Sequence, residues 1–250
     1  MKKLSITFGK ILLVLACFAL SPVVKAARQP GQPAFTQIDV PGAILTIANS
    51  INEGGDIVGP YFDGDGNGHG YVLNSGAFIT IDVPGAVFTI ANGINAGGDI
   101  VGDYFDSNGL RHGYLLRNGV FTTIDLPGAG PFGTDVESIN SQGNIIGFYQ
   151  DSIGNAHGLL LSRGIFRTID VPGATQTFTI NLNSRGDIVG TSVDSGNNSH
   201  GFVLSRGRSI AIDVPGAVST DANGINPQGD IVGDYTDSSG SEHGYLLSNE

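Results

Sequence analysis

Five aspartate–histidine pairs, each six residues apart, are the chemistry-bearing pattern of this 250-residue chain. They are Asp63/His69, Asp106/His112, Asp151/His157, Asp194/His200 and Asp237/His243, and they use every histidine present. An imidazole beside a carboxylate can hold a ligand, pin a loop or respond to pH, because the acid favours the protonated ring. As catalytic dyads these pairs lack any Ser or Cys nucleophile repeated with them. The first loop, Asp63-Gly-Asp65-Gly-Asn67-Gly, alternates oxygen donors around glycine turns, like the first half of a calcium loop. Its twelfth position is Asn74 rather than a bidentate glutamate, and the other copies keep only the first Asp. A weak Ca2+ site on Asp63, Asp65 and Asn67 is therefore the one cofactor expectation, against a tight polar turn. Asp135 and Glu137, two apart on an expected strand, are the only candidate catalytic pair. Two carboxylates can share the acid and base or nucleophile roles in glycoside hydrolysis.

These residues ride on a repeat. Ile-Asp-(Val/Leu)-Pro-Gly-Ala begins at Ile38, Ile81, Ile124, Ile169 and Ile212, and the His-Gly pairs recur in the same steps. A complete period near 43 residues means identical supersecondary units stacked into one body. In the second copy, Phe78–Val83 reads as a strand stopped by Pro84-Gly85, and Thr89–Ile94 as a second strand. The second strand has small residues, Ala91 and Gly93, at its centre. Asn95 to Gly98 has the chemistry of a type I turn, and Asp99–Tyr104 and Gly113–Leu116 complete four antiparallel strands. The pattern predicts an all-β, five-bladed β-propeller of four-stranded, 43-residue repeats. The strand with Ala91 and Gly93 is expected innermost. The first strand, Phe35–Asp39, is expected to pair with the last three and close the ring. Each Asp is expected to face its His across a hairpin, with Tyr61 opposite Tyr71, Tyr104 opposite Tyr114 and Tyr235 opposite Tyr245.

Strand alternation sorts the charges. Asp39, Asp82, Asp125, Asp170 and Asp213 fall at the same end as the Asp–His loops, whereas Arg117, Arg163, Arg185, Arg206 and Arg208 fall at the other. The third copy breaks the pattern: Gly130-Pro131 is an insertion, and Thr134-Asp-Val-Glu-Ser138 replaces Thr-x-Ala-Asn-Gly. Asp135 and Glu137 would then sit on an innermost strand, pointing to one side, with Asn49, Asn92 and Asn223 at the Glu137 position elsewhere.

The ends of composition space are informative too. Lys2, Lys3 and Lys10 precede an apolar run from Ile11 to Leu20, and Val24-Lys25-Ala26 suits a cleavage enzyme. Residues 1–26 read as a secretory signal peptide, 27–34 as a linker and 35–250 as one five-repeat domain. Cys17 fits a lipoprotein cleavage box poorly, since the apolar run continues past it. Beyond residue 26 no lysine and no cysteine remains, and eight arginines face 23 acids. Export without disulfides leaves stability to burial and strand pairing. The acidic balance argues against nucleic acid and anionic membrane surfaces as partners, and no segment is long enough to span a membrane. The expected location is periplasmic or extracellular, as a monomer.

The unit Phe-Thr-Thr-Ile-Asp-x-Pro-Gly-Ala, then Gly-Ile-Asn-x-x-Gly-Asp-Ile-Val-Gly, then Asp-x-x-Gly-x-x-His-Gly-Tyr-Leu-Leu resembles the bacterial HAF extracellular repeat family. The similarity covers residues 35 to 250, with His-Gly-(Tyr/Phe/Leu) where that family's name has His-Ala-Phe. It implies an exported, propeller-type module without an established activity and transfers no catalytic residue. The function expected is a secreted, non-enzymatic binding or scaffold module acting through its acidic face on a glycan, cation or protein. The alternative is a glycan-active hydrolase using Asp135 and Glu137.

Overall fold

A computed structural model describes residues 35–248. The signal peptide and linker expected over residues 1–34 lie outside the described residues. The chain divides into two units, Met1–Gln37 and Ile38–Glu250. All elements of the second unit are strands, with no helix among the described residues.

The strands fall into consecutive antiparallel groups. The first has two short segments, β1 (Leu45–Thr46) and β2 (Ser50–Ile51), both paired with β3 (Ile57–Phe62), followed by β4 (Gly68–Asn74) and β5 (Ala77–Ile81). The second runs β6 (Phe88–Ile94), β7 (Ile100–Phe105), β8 (Arg111–Arg117), β9 (Val120–Ile124). The third is β10 (Thr134–Ile139), β11 (Ile145–Gln150), β12 (Ala156–Ser162), β13 (Ile165–Ile169). The fourth is β14 (Gln176–Leu182), β15 (Ile188–Val193), β16 (Ser199–Ser205), β17 (Arg208–Ile212). The fifth has three strands, β18 (Ser219–Ile225), β19 (Ile231–Thr236) and β20 (Glu242–Leu247). A single parallel bridge, Gly68 to Phe88, links the first two groups. Residues 35–40, expected to supply the closing strand, form no strand here. The other fourth strands, β5, β9, β13 and β17, are each tethered to their neighbour by a two-residue turn, which makes pairing cheap in loop entropy.

The first strand of each group, interrupted into β1 and β2 in the first, is innermost, as β2, β6, β10, β14 and β18 pack successively on one another. The approach is close: a Cβ on Gly93 would lie 3.1 Å from the Ser138 backbone. The third position of each Ile-Val-Gly or Ile-Ile-Gly run faces a different constraint. A Cβ on Gly59, Gly102, Gly147, Gly190 or Gly233 would overlap a carbonyl of the innermost strand. The core lies between successive groups. One cluster joins Val101 and Ile124 of the second group to Val136, Ile139 and Ile145 of the third. The next joins Ile146 and Ile169 to Leu182 and Ile188. Each such buried aliphatic contributes about 1.5–3 kcal/mol.

An asparagine ladder runs along the same direction. The Nδ2 of Asn52, Asn95, Asn140 and Asn183 donates to the backbone carbonyl of Asn95, Asn140, Asn183 and Asn226 in turn, at 3.1–3.3 Å. Each Oδ1 also accepts backbone N–H groups of its own turn, as Asn95 does from Gly97 and Asp99. One side chain therefore fixes a turn and couples it to the next repeat.

Candidate functional site

The crossing between groups is built by Asp-Val-Pro-Gly-Ala. Pro84 sets φ for the second position of a type II turn, and Gly85 takes the positive φ (85°) that the third requires. A threonine on the following innermost strand pins each crossing. Thr46, Thr89, Thr134, Thr177 and Thr220 accept from the backbone N–H of Val40, Val83, Leu126, Val171 and Val214 at 3.0–3.1 Å. This holds the preceding Asp at a fixed place above the His of the same repeat.

The neighbouring loop is a five-residue turn. Asp63 Oδ1 accepts from the backbone N–H of Asp65 (2.9 Å) and Asn67 (2.8 Å), and Asp106, Asp151, Asp194 and Asp237 do the same in their loops. The remaining oxygen turns to the histidine. His69 Nε2 lies 3.5 Å from Asp63 Oδ2, and the equivalent distances for His112, His157, His200 and His243 are 3.8, 3.4, 3.5 and 3.1 Å. The other ring nitrogen meets the crossing aspartate: His69–Asp82 2.9 Å, His112–Asp125 2.9 Å, His157–Asp170 2.8 Å and His200–Asp213 2.7 Å. Each of these four rings is thus clamped between two carboxylates. A tyrosine stacks on the histidine in four copies, Tyr61, Tyr104, Tyr149 and Tyr235, with centroids 5.0–5.2 Å apart. Ser192 replaces it in the fourth.

The electrostatics follow from this clamp. Burial works against the charged His69 ring, but the hydrogen bond and charge of Asp82, then Asp63, raise its pKa above the usual value. His157 behaves likewise, and for His200 the hydrogen bond that its ring donates to Asp213 leads. Asp63 and Asp194 fall to about 2, chiefly through the side chains of Asn67 and Asn198. The crossing carboxylates are about half exposed, so these copies present a carboxylate, an imidazole edge and usually a tyrosine to solvent.

The strand register departs from expectation by one residue on each side of the hairpin. Asp63 closes on Asn67, Tyr61 pairs with His69, and Gly59 faces Tyr71. The Asp reaches its His diagonally, because the Asx turn it forms shortens the loop to five residues. Tyr104 and Tyr235 likewise oppose His112 and His243 rather than Tyr114 and Tyr245. The half calcium loop is the same turn: Asp63 is engaged by the loop's own amides, including Asn67 Nδ2 at 2.9 Å. Among the described residues no cluster of three or more His, Cys, Asp or Glu side chains is arranged to hold a metal.

Asp135 and Glu137 do not face one side. β10 carries a β-bulge between Val136 and Ser138, as do β6, β14 and β18 at the same position. The extra residue breaks strand alternation. Glu137, the bulged residue, lines a cavity of about 290 Å³ together with Asn49, Asn92, Ile180 and Asn223, one from each repeat. Burial, then the charge of Asp103, pushes Glu137 up to about 7. Asp135 turns elsewhere, to Arg111 Nη1, while Arg111 Nη2 donates to Asp103 at 2.7 Å. Asp103 also accepts from Asn92 Nδ2 (2.9 Å) and from the Val136 N–H (2.7 Å). Burial raises the pKa of both buried aspartates, and Asp135 is raised further by the neighbouring charge of Asp103. Residue-by-residue reading missed Asp103, Arg111 and the crossing partner of each His. The constant thirteen-residue step from His69 to Asp82 was the available signal for the last.

No family model matches the chain, and no curated protein matches it. Solved structures do. A mutant of AofleA from Arthrobotrys oligospora aligns at 17% identity over 87% of this chain and 74% of its own, with a TM-score of 0.53. The fucose-specific lectin of Aleuria aurantia, described as a six-bladed β-propeller, aligns at 16% over 81% and 73%, with a TM-score of 0.51. TolB from Acinetobacter baumannii aligns at 13% over 82% of this chain, with a TM-score of 0.54. This chain spans 55% of TolB's length. The fold is a β-propeller. No helix among the described residues is long and apolar enough to cross a membrane.

Proposed function

We propose that this chain is an exported, monomeric, non-enzymatic β-propeller of the HAF repeat type, with five blades, that binds glycans at its acidic crossing end. The observation that carries the reading is the clamp of two carboxylates and a histidine, repeated with a stacked tyrosine in most copies. Half-exposed carboxylates accept from sugar hydroxyls, and tyrosine and imidazole planes suit the apolar face of a sugar ring. Repetition multiplies weak sites into avidity, which suits a binder. The likeness to a fucose-specific lectin points the same way. Five blades are supported by the axial cavity, to which every repeat contributes the same position, and by the asparagine ladder through all five. Closure would bring Asp39, the crossing aspartate of the first Ile-Asp-Val-Pro-Gly-Ala unit, to the His243 ring.

The alternative, a glycan hydrolase using Asp135 and Glu137, requires two carboxylates on one bond. Here they line separate spaces, and Asp135 is held by Arg111. The test is a glycan array probed with the purified protein, with and without calcium, followed by assay of bound glycans for released reducing ends. Binding without turnover is expected, and dependence on calcium would assign Asp63, Asp65 and Asn67 a ligand role. An empty array would remove the binding reading. Turnover abolished in Glu137→Gln would replace it with the enzyme.

A further inference from the structure

Arginines gather at the junction between the third and fourth repeats. Position 167 on β13 carries Ile79, Thr122 and Ile210 in other repeats. Arg185 stands where Gly97, Gln142 and Gln228 do, and Arg206 where Ser75, Asn118 and Arg163 do. Arg167, Arg185 and Arg206 all line one cavity of about 920 Å³ between the two repeats. The chain as a whole runs the other way, with 12 Lys+Arg against 23 Asp+Glu.

Strand register explains why Arg167 faces this groove. It lies directly across from Leu160 on β12, so the two side chains leave the same face of the sheet. Leu160 packs against Ile146, Ile169, Leu182 and Ile188, the cluster that joins the third repeat to the fourth. Arg167, two residues before Ile169, therefore points across the same junction. The opposite wall is made by two turns, at residues 185–188 and 204–207. Arg206 opens the second of them with a φ of 50°, the conformation that Asn118 takes at the same position in the second repeat (51°). Arg185 is already paired, its Nε and Nη2 each 3.0 Å from Asp187 Oδ2. Arg167 and Arg206 have no carboxylate partner, and both are exposed to solvent.

We infer that this groove binds a short acidic saccharide, one carrying a carboxylate or sulfate group. The planar fork of arginine donates two parallel hydrogen bonds to either anion. The rest of the lining selects the body attached to it. Leu160, Ile188 and Leu204 offer aliphatic surface to ring C–H groups, and Thr168, Asp170 and Ser205 offer partners to hydroxyls. A purely aliphatic acid would leave those polar groups against hydrocarbon. Asp170, the crossing aspartate held by His157, lies three residues beyond Arg167, about 10 Å along an extended chain. An anion at Arg167 thus leaves room for a sugar ring before that carboxylate. The volume falls in the roughly 300–1,000 Å³ range of small-molecule sites. Length is limited by the net charge of −11, which repels a long polyanion while a short one meets chiefly the nearby arginines. The inference rests on the glycan reading and adds to it a ligand class and one groove that the other repeats do not reproduce.

Sister repeats supply the test substitutions. Arg167→Thr copies Thr122, and Arg206→Asn copies Asn118 with the backbone conformation already in place. Arg163→Asn is the control: the same exchange at the same turn position (φ 51°), outside the groove lining. Isothermal titration calorimetry on the purified full chain would use trigalacturonate, its methyl ester, a sulfated chondroitin disaccharide and sodium sulfate. At least one acidic saccharide should bind with a Kd of about 1 mM or tighter, and which one binds assigns the anion as carboxylate or sulfate. Arg167→Thr and Arg206→Asn should each weaken it at least about tenfold, and Arg163→Asn should leave it unchanged. Failure of both acidic saccharides to bind overturns the site, as does a methyl ester that binds as tightly as the acid. Equal losses in Arg163→Asn and Arg206→Asn, or sulfate ion binding as tightly as the saccharide, overturn it too. Binding kept in both groove variants but lost in Asp82→Asn would move the ligand to the crossing end, leaving the glycan reading standing without this groove. Only an empty array removes the glycan reading itself. Thermal melts of the variants superimposable on the parent's exclude loss of fold as the cause.

Discussion

Replacing Asn140 by alanine removes three hydrogen bonds at once. Its Oδ1 accepts from the backbone N–H of Gln142 (3.1 Å) and Asn144 (3.0 Å), and its Nδ2 donates to the Asn183 carbonyl (3.1 Å). The residue is 5% exposed, so water replaces these partners poorly. At about 1 kcal/mol net for each bond, the loss is about 3 kcal/mol. A domain of this size shifts its Tm by roughly 2–4 °C per kcal/mol, so Asn140→Ala should melt roughly 6–12 °C lower. Asn140→Asp keeps the turn acceptors but loses the donor to the next repeat, and should fall between the two. Urea unfolding and differential scanning calorimetry read both quantities. If Asn140→Ala lies within about 0.5 kcal/mol of the parent, or if Asp and Ala are equally damaging, the ladder does not couple the repeats.

Two further outcomes are expected. Glu137 titrates near 7 in the folded chain, against 4.5 for the free side chain, because burial and Asp103 oppose its charge. The native state therefore holds a proton that the unfolded chain has released, and this stabilisation is full below about pH 4.5 and lost as pH rises through about 7. Glu137→Gln should flatten that part of the urea-stability profile and exceed the parent above pH 7; an unchanged slope would show that Glu137 is not the group responsible. His69 should titrate above 6.5 by NMR, and Asp82→Asn should lower it while leaving His157 unchanged. Its contribution is present below pH 6.5 and lost as pH rises through the elevated value, whereas that of Asp63 is present above 3.8 and lost as pH falls through about 2. An Asp82→Asn variant whose His69 titrates as before would remove the crossing clamp.

The period alone was enough to locate the strands, the turn glycines and the innermost position of Ala91 and Gly93. It also grouped Asn49, Asn92, Glu137 and Asn223, which do share one cavity. What escaped it depends on single-residue register. A bulge adds one residue on one strand only and leaves no mark in a repeat that carries it in most copies. The Asp–His hairpin escaped for a related reason. A six-residue step allows the loop to close on Asn67 or on Asp63 with His69 directly opposite. The two backbone amides captured by Asp63 Oδ1 decide for the shorter loop. Side-chain chemistry inside the turn thus moved every cross-strand pair below it.

The Arg111 ion-pair network escaped because it is a relation between repeats. Taken one at a time, Arg111, Asp103, Gly133 and Asp135 look like drift, and single-repeat comparison discounts each. Taken across the interface they compensate one another. An arginine brought in alone at a glycine position would meet a phenylalanine ring, and a buried Asp135 alone would be an uncompensated charge, costing several kcal/mol. Gly133 clears the space, and the guanidinium meets both carboxylates. Yet replacing such a network by packed apolar residues is often neutral or stabilising, and the Gly68–Phe88 junction shows that this scaffold has an apolar solution. Stability alone therefore does not account for a polar one that also leaves Arg111 Nε, Asp135 Oδ1 and Gln150 Oε1 without partners.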